Sequence, residues 1–146
     1  MAKWSREEIE QAFHRYEEAV ARCAKAVDWD EWCNLFTEDA EYHDDVWPMR
    51  RGAKEIADWM RRTFSAYPQN QMREFPTEWY IIDEDRGWVV CEFQNRMVDP
   101  GDGKIYQQKN YARLKYAGND KWSFQEDQYN PAAFQSMLQD WLKAKG

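Results

Sequence analysis

The chain has 146 residues, a net charge of −7 and 16% aromatic residues, which is long enough for a single domain with a sizeable core. The acidic balance disfavours a role on nucleic acid, where clustered Lys and Arg must displace counterions, and no run of about 18 apolar residues exists to span a membrane. Nine Trp, eight Tyr and seven Phe gather the apolar surface into a few large side chains, which suits an aromatic core or an aromatic-lined pocket.

Cys23, Cys33 and Cys91 are odd in number and widely spaced, so they read as reduced core thiols of a cytoplasmic protein and not as a disulfide framework. The N-terminus is acidic and amphipathic and lacks the apolar stretch of a secretory signal. No Ser or Cys stands beside a His to support a nucleophile. Two His without a spaced partner motif give no basis for a metal site or a bound cofactor.

Ser5 and Glu8 form a capping box with Trp4 and Ile9 as its hydrophobic staple. Ile9, Ala12, Phe13, Tyr16, Ala19, Val20, Cys23 and Val27 then repeat at helical spacing and predict one long helix with a single buried face. His14 lies off that stripe. Asp28 and Glu31 mark a short second helix, ending at Thr37-Glu38-Asp39. Ala40 to Asp45 alternates as a strand, and Lys54 to Phe64 reads as a third helix stopped before Pro68.

The second half changes to four runs rich in aromatic and β-branched residues: 78–83, 88–98, 104–116 and 121–129. Short Asp/Gly/Asn turns separate them, which predicts an antiparallel meander. Asn130-Pro131 opens a last amphipathic helix. The expected architecture is therefore α+β over residues 1–146, a curved antiparallel sheet against N-terminal helices with a short C-terminal helix. Strand parity groups Val89, Cys91, Phe93, Asn95 and Met97 on one face. It likewise groups Tyr106, Gln108, Asn110, Ala112, Leu114 and Tyr116. For the last strand both parities stay open: Trp122, Phe124, Glu126 and Gln128, or Ser123, Gln125, Asp127 and Tyr129. Asn95, Gln108 and Asn110 interrupt apolar faces and supply polar groups that could orient a ligand, with Trp59, Phe93, Tyr106 and Phe124 as candidate walls.

The densest titratable cluster is Tyr42-His43-Asp44-Asp45, whose two faces make rival predictions. With Tyr42 and Asp44 inward, a desolvated Asp44 serves as base and Tyr16, Asn95 or Asn110 stabilises the developing oxyanion. With the other face inward, His43 is the base, oriented by Asp127.

Several motifs together resemble a known family: Leu35-Phe36-Thr37-Glu38-Asp39-Ala40, Tyr42-His43-Asp44, Gly52 before Ile56, and Glu126-Asp127-Gln128-Tyr129-Asn130-Pro131. Over nearly its whole length the chain resembles the SnoaL-like branch of the nuclear transport factor 2-like superfamily, which includes polyketide cyclases, ketosteroid isomerases, dehydratases and limonene epoxide hydrolases. The resemblance implies a cone-shaped fold, a pocket for a small hydrophobic molecule inside the cone, and commonly a homodimer through the sheet. It places Asp44 where the isomerases keep their proton-shuttling aspartate. Val20 stands at their oxyanion-donor tyrosine, with Tyr16 one turn away, and their second acid falls near Asn110 or Tyr111. Tyr42 and Asp44 fall where the epoxide hydrolases hold the attacking water, but Arg96 and Asp99 are spaced too widely to complete that set. Asp127 falls near the late acid of hydrolases and cyclases. The implied function is acid–base chemistry of isomerase, dehydratase or cyclase type on a small cyclic carbonyl or hydroxy compound, with a non-catalytic binding protein as the alternative.

Overall fold

The computed structural model of the protein describes residues 2–146. Ser5 accepts a hydrogen bond from the Glu8 amide at 3.1 Å and starts helix α1, Arg6–Ala26. The helix ends where Val27 turns left-handed at φ 55°. Its buried face is the predicted stripe, with Ile9, Ala12, Phe13, Tyr16, Ala19 and Cys23 all out of water. The Asp28 side chain accepts from the Asp30 amide at 3.1 Å and opens the short α2, Asp30–Cys33.

Strand β1 then runs Phe36–His43, so Thr37-Glu38-Asp39 belongs to a strand and does not end a helix. Its alternation is hidden because the register shifts between Phe36 and Glu41, leaving Glu38 and Asp39 both exposed. After β2 (Arg50–Arg51) comes α3, Gly52–Phe64, which buries Ile56, Trp59 and Met60. The short β3, Met72–Glu74, has no counterpart in the sequence reading. Strands β4 (Thr77–Asp83), β5 (Trp88–Met97), β6 (Gln107–Gly118) and β7 (Lys121–Gln128) form the expected antiparallel meander. Asn130 caps α4, Pro131–Lys145.

The sheet order is β2-β1-β7-β6-β5-β3, with β4 also on β5. One pairing departs from the all-antiparallel expectation: β1 lies parallel to β7. Parallel neighbours require a long crossover, and here everything from β2 to β6 lies between them. The mixed sheet curls into a half-barrel, and α1, α2 and α3 pack their aromatic residues against its β1, β5, β6 and β7 side chains. A second, smaller core joins Met72 and Met97 to Met137, Leu138 and Trp141 of α4.

A β-bulge decides the parity left open for β7. Lys115 faces Phe124 while Tyr116 faces Trp122, so Ser123 is an extra residue. Trp122 is therefore buried, and two residues past the bulge so are Gln125 and Asp127. Neither predicted parity holds for the whole strand; each holds on one side of the bulge.

Gly52 sits at φ +85°, and a Cβ there would lie 2.5 Å from the Glu38 carbonyl oxygen of β1. Backbone on backbone leaves little room to relax. Gly52→Ala is expected to lower the unfolding free energy by about 2–3 kcal/mol. Urea denaturation checks this, and an unchanged midpoint would show that the approach of α3 to β1 is not constrained as described.

Candidate active site

Four elements bring polar side chains to one buried point. The β1–β7 register sets Tyr42 opposite Gln125, and the β6–β7 register sets Ala112 opposite Asp127. Tyr42 donates its hydroxyl to Asp127 Oδ2. Gln125 Nε2 and Asn110 Nδ2 donate to Asp127 Oδ1 at 2.9 and 3.2 Å. The same Gln125 amide reaches the Tyr42 oxygen at 3.2 Å, and its Oε1 accepts from the Tyr16 hydroxyl at 2.6 Å. Asp127 is 7% exposed, Asn110 2% and Gln125 1%.

Two opposing effects act on this carboxylate. Burial disfavours its charge, and the bonds from Tyr42, Gln125 and Asn110 favour it, while the nearby Asp44 charge adds to the burial effect. Burial wins and pushes the Asp127 carboxyl up to about 6. Burial and the Asp127 charge also hold the Tyr16 and Tyr42 hydroxyls well above the usual phenol range, so both remain donors at neutral pH.

The network borders two neighbouring compartments that share part of their walls. The outer one, about 150 Å³, is walled by Asp44, Trp59, Asn110, Asp127, Tyr129 and Phe134 among others. The inner one, about 70 Å³, lies among Phe13, Tyr16, Trp29, Trp32, Phe75 and Cys91. Phe64, Phe93 and Asn95 border both. Asp44 lies just past the end of β1, where its Oδ1 accepts from the Tyr129 hydroxyl at 3.1 Å and the Val46 amide at 2.9 Å.

Of the side chains singled out from sequence, Tyr16, Tyr42, Asn110 and Asp127 meet in the network. Asp44, Trp59, Phe93 and Asn95 line the outer compartment. Four lie elsewhere. His43 is on the opposite side of β1 from Tyr42, 3.0 Å from Glu41 and 5.1 Å from the Phe124 ring. It does not meet Asp127, because β1 can turn only one of two adjacent residues inward. Phe124 is outward because the bulge shifts its parity, and it lies under Lys115 and Arg113 at 4.3 and 5.1 Å. The Tyr106 hydroxyl donates to Asp102 at 2.5 Å, and its ring packs with the α4 core. Gln108 borders a separate shallow groove with Tyr111 and Asn130. Sequence reasoning did not assign Gln125 or Tyr129 to the site. Their signal was the Ser123-Gln125-Asp127-Tyr129 alternation. Among the described residues no group of three or more metal-ligating side chains converges, and no helix is long and apolar enough to cross a membrane.

Residues 13–128 match the SnoaL-like domain. The chain belongs to the SnoaL-like family. No curated protein matches it in sequence. Among solved structures, this SnoaL-like chain is similar to a nuclear transport factor 2-like protein from Anabaena variabilis, at 14% identity and a TM-score of 0.68, covering 89% of this chain and 95% of that one. It is also similar to a hypothetical protein of ketosteroid isomerase-like fold from Catenulispora acidiphila solved in complex with trimethylamine, at 15% identity and a TM-score of 0.67, over 85% and 92% of the two chains. An epoxide hydrolase from M. tuberculosis resembling the limonene epoxide hydrolases follows, at 17% identity and a TM-score of 0.65, over 89% and 91%. At these identities the likeness establishes the fold.

In this SnoaL-like domain Asp127 binds its proton more tightly when folded than when unfolded. Its contribution therefore favours folding most below about pH 4 and is lost as the pH rises through about 6. The interval from 3.8 to about 6 corresponds to about 3 kcal/mol. The unfolding free energy of wild type relative to Asp127→Asn is expected to fall by up to that amount between pH 4 and pH 8. Denaturation of both proteins at the two pH values checks it, and a carboxyl carbon of Asp127 titrating near 4 by NMR would contradict it.

Proposed function

We propose that the protein is an acid–base enzyme of the isomerase, dehydratase or cyclase type, acting on a small hydrophobic cyclic carbonyl or hydroxy compound held in the cone. One observation carries this reading: the buried Asp127 carboxyl, whose proton burial holds more tightly than usual, borders a cavity lined by both aromatic and polar side chains. A base poised near the working pH combines a useful ionised fraction with real basicity.

Each side chain then has a role. The two oxygens of a carboxylate offer about four acceptor sites, and Tyr42, Gln125 and Asn110 fill three. The remaining site takes a proton from the ligand and returns it at another position. Tyr42, itself braced by Gln125 and through it by Tyr16, holds the carboxyl orientation through the transfer. Asn95, which borders both compartments, is a neutral donor for the oxygen on which charge develops.

The test uses a panel of small cyclic ketones in D₂O, with α-hydrogen exchange followed by NMR. Wild type is expected to accelerate exchange for at least one ketone, and Asp127→Asn to slow it by about 10²–10⁴. Exchange that persists undiminished in Asp127→Asn counts against the role of this residue. One observation favours a binding role without chemistry: Asp127 is only 7% exposed and already engaged by three donors. That reading predicts a co-purifying ligand, detectable by mass spectrometry, which the protein retains unchanged.

We further propose that two copies pair through the outer face of the sheet. Trp79, Ile81 and Tyr111 are 41%, 63% and 38% exposed there, and the Trp79 and Tyr111 rings lie 6.2 Å apart. Sedimentation is expected to give a dimer for wild type and a monomer for Ile81→Glu; a monomeric wild type would overturn the pairing.

A further inference from the structure

Trp47 stands apart from the other tryptophans. Of the nine in the chain, all but two pack against another aromatic ring. Trp88, one of those two, lies under the Arg113 guanidinium at 4.7 Å. Trp47 has neither an aromatic ring nor a cation stacked on it among the described residues. It is 45% exposed and borders the outer compartment, next to Val46 at 53%. A side chain that reaches both the compartment and water stands at the rim. The loop that carries it is fastened there. Asp44 accepts from the Val46 amide and the Tyr129 hydroxyl, and Asp45 accepts from the Tyr129 amide at 3.1 Å.

An indole without a ring partner gains from one, because aromatic groups attract each other when offset-stacked or edge-on and lose apolar area to water when bare. The size of the compartment limits what that partner is. The outer compartment holds about 150 Å³ and the inner about 70 Å³, less than half as much. A protein cavity of about 150 Å³ takes one benzene ring. A second fused ring finds no room in the outer compartment and has to displace the indole at its rim. Asp127 and Asn110, both buried, border the same compartment, so a ring seated there shares it with the carboxyl.

We propose that Trp47 is a specificity-determining residue, which stacks on a single, nearly planar six-membered ring held in the outer compartment. The substrate class is then a monocyclic unsaturated carbonyl or hydroxy compound, and fused polycyclic compounds are excluded by size. This rests on reading the outer compartment as the ligand site, as the acid–base proposal does. It adds the number of rings and the residue that selects for it.

Titration of ¹⁵N-labelled protein with cyclohex-2-enone and with 1-tetralone, its two-ring counterpart, tests it through the indole N–H resonances. The Trp47 resonance is the one missing from Trp47→Phe. Cyclohex-2-enone is expected to bind in the millimolar range and shift that resonance, and 1-tetralone to bind at least about tenfold more weakly despite its larger apolar surface. Trp47→Ala is expected to weaken cyclohex-2-enone about tenfold, and Trp47→Phe, which keeps an aromatic face, to restore most of the affinity. Equal or tighter binding of 1-tetralone overturns the single ring. Unchanged affinity in Trp47→Ala overturns the stacking. Failure of cyclohex-2-enone to bind at tens of millimolar overturns the compartment as the seat of the ring. The Asp127→Asn exchange measurement reads the acid–base role separately, so either reading can fail while the other stands.

Discussion

The parallel alignment of β1 with β7 is the constraint on which the site depends. It sets Tyr42 against Gln125, and two residues further along β7 the Asp127 carboxylate then falls within reach of the Tyr42 hydroxyl. A slip of one residue would turn Tyr42 outward and His43 inward, exchanging a phenol for an imidazole at the carboxylate. The bulge at Ser123 is the second half of the same constraint. Without the extra residue, a strand that buries Trp122 would bury Phe124 and Glu126 and send Asp127 to the surface.

Keeping a carboxylate in such a place depends on the completeness of its hydrogen bonding. Three neutral donors do not offset the loss of water entirely, which is why the proton is held more tightly than on an ordinary aspartate. They do fix the geometry. Gln125 receives Tyr16 on its oxygen and directs its nitrogen to both Tyr42 and Asp127, so its amide has one satisfactory orientation. Tyr16 reaches from α1 and thereby ties the principal helix to the chemistry of the sheet.

Much of the fold was legible from periodic burial. The stripe of α1, the meander, the cap at Asn130, the inward set of β5 and that of β6 from Asn110 onward follow from local pattern. Features that violate local pattern were not legible. Glu38 and Asp39 are consecutive exposed acids inside a strand whose register is irregular, so they read as a turn. Three residues, Met72-Arg73-Glu74, are too few to show alternation. The pairing of β1 with β7 joins the two ends of the sheet's path in sequence, and no spacing rule announces it. At the site, the same logic separates Asp127, recoverable by parity once the bulge is known, from Gln125, whose importance lies in what it bridges.

The cavity has a division of origin. The inner compartment draws most of its wall from α1, the α2 region and α3, through residues such as Phe13, Trp29, Trp32 and Met60. Asp127 and its immediate donors come from β1, β6 and β7. Substitutions on the helices can therefore reshape what fits the inner compartment while the carboxylate keeps its setting. Tyr16 is the exception, since it borders the inner compartment and also bonds Gln125. A fold arranged in this way can diverge in ligand choice along one set of positions and hold its reactive group along another. Inherited reactivity and new specificity then become nearly separable traits.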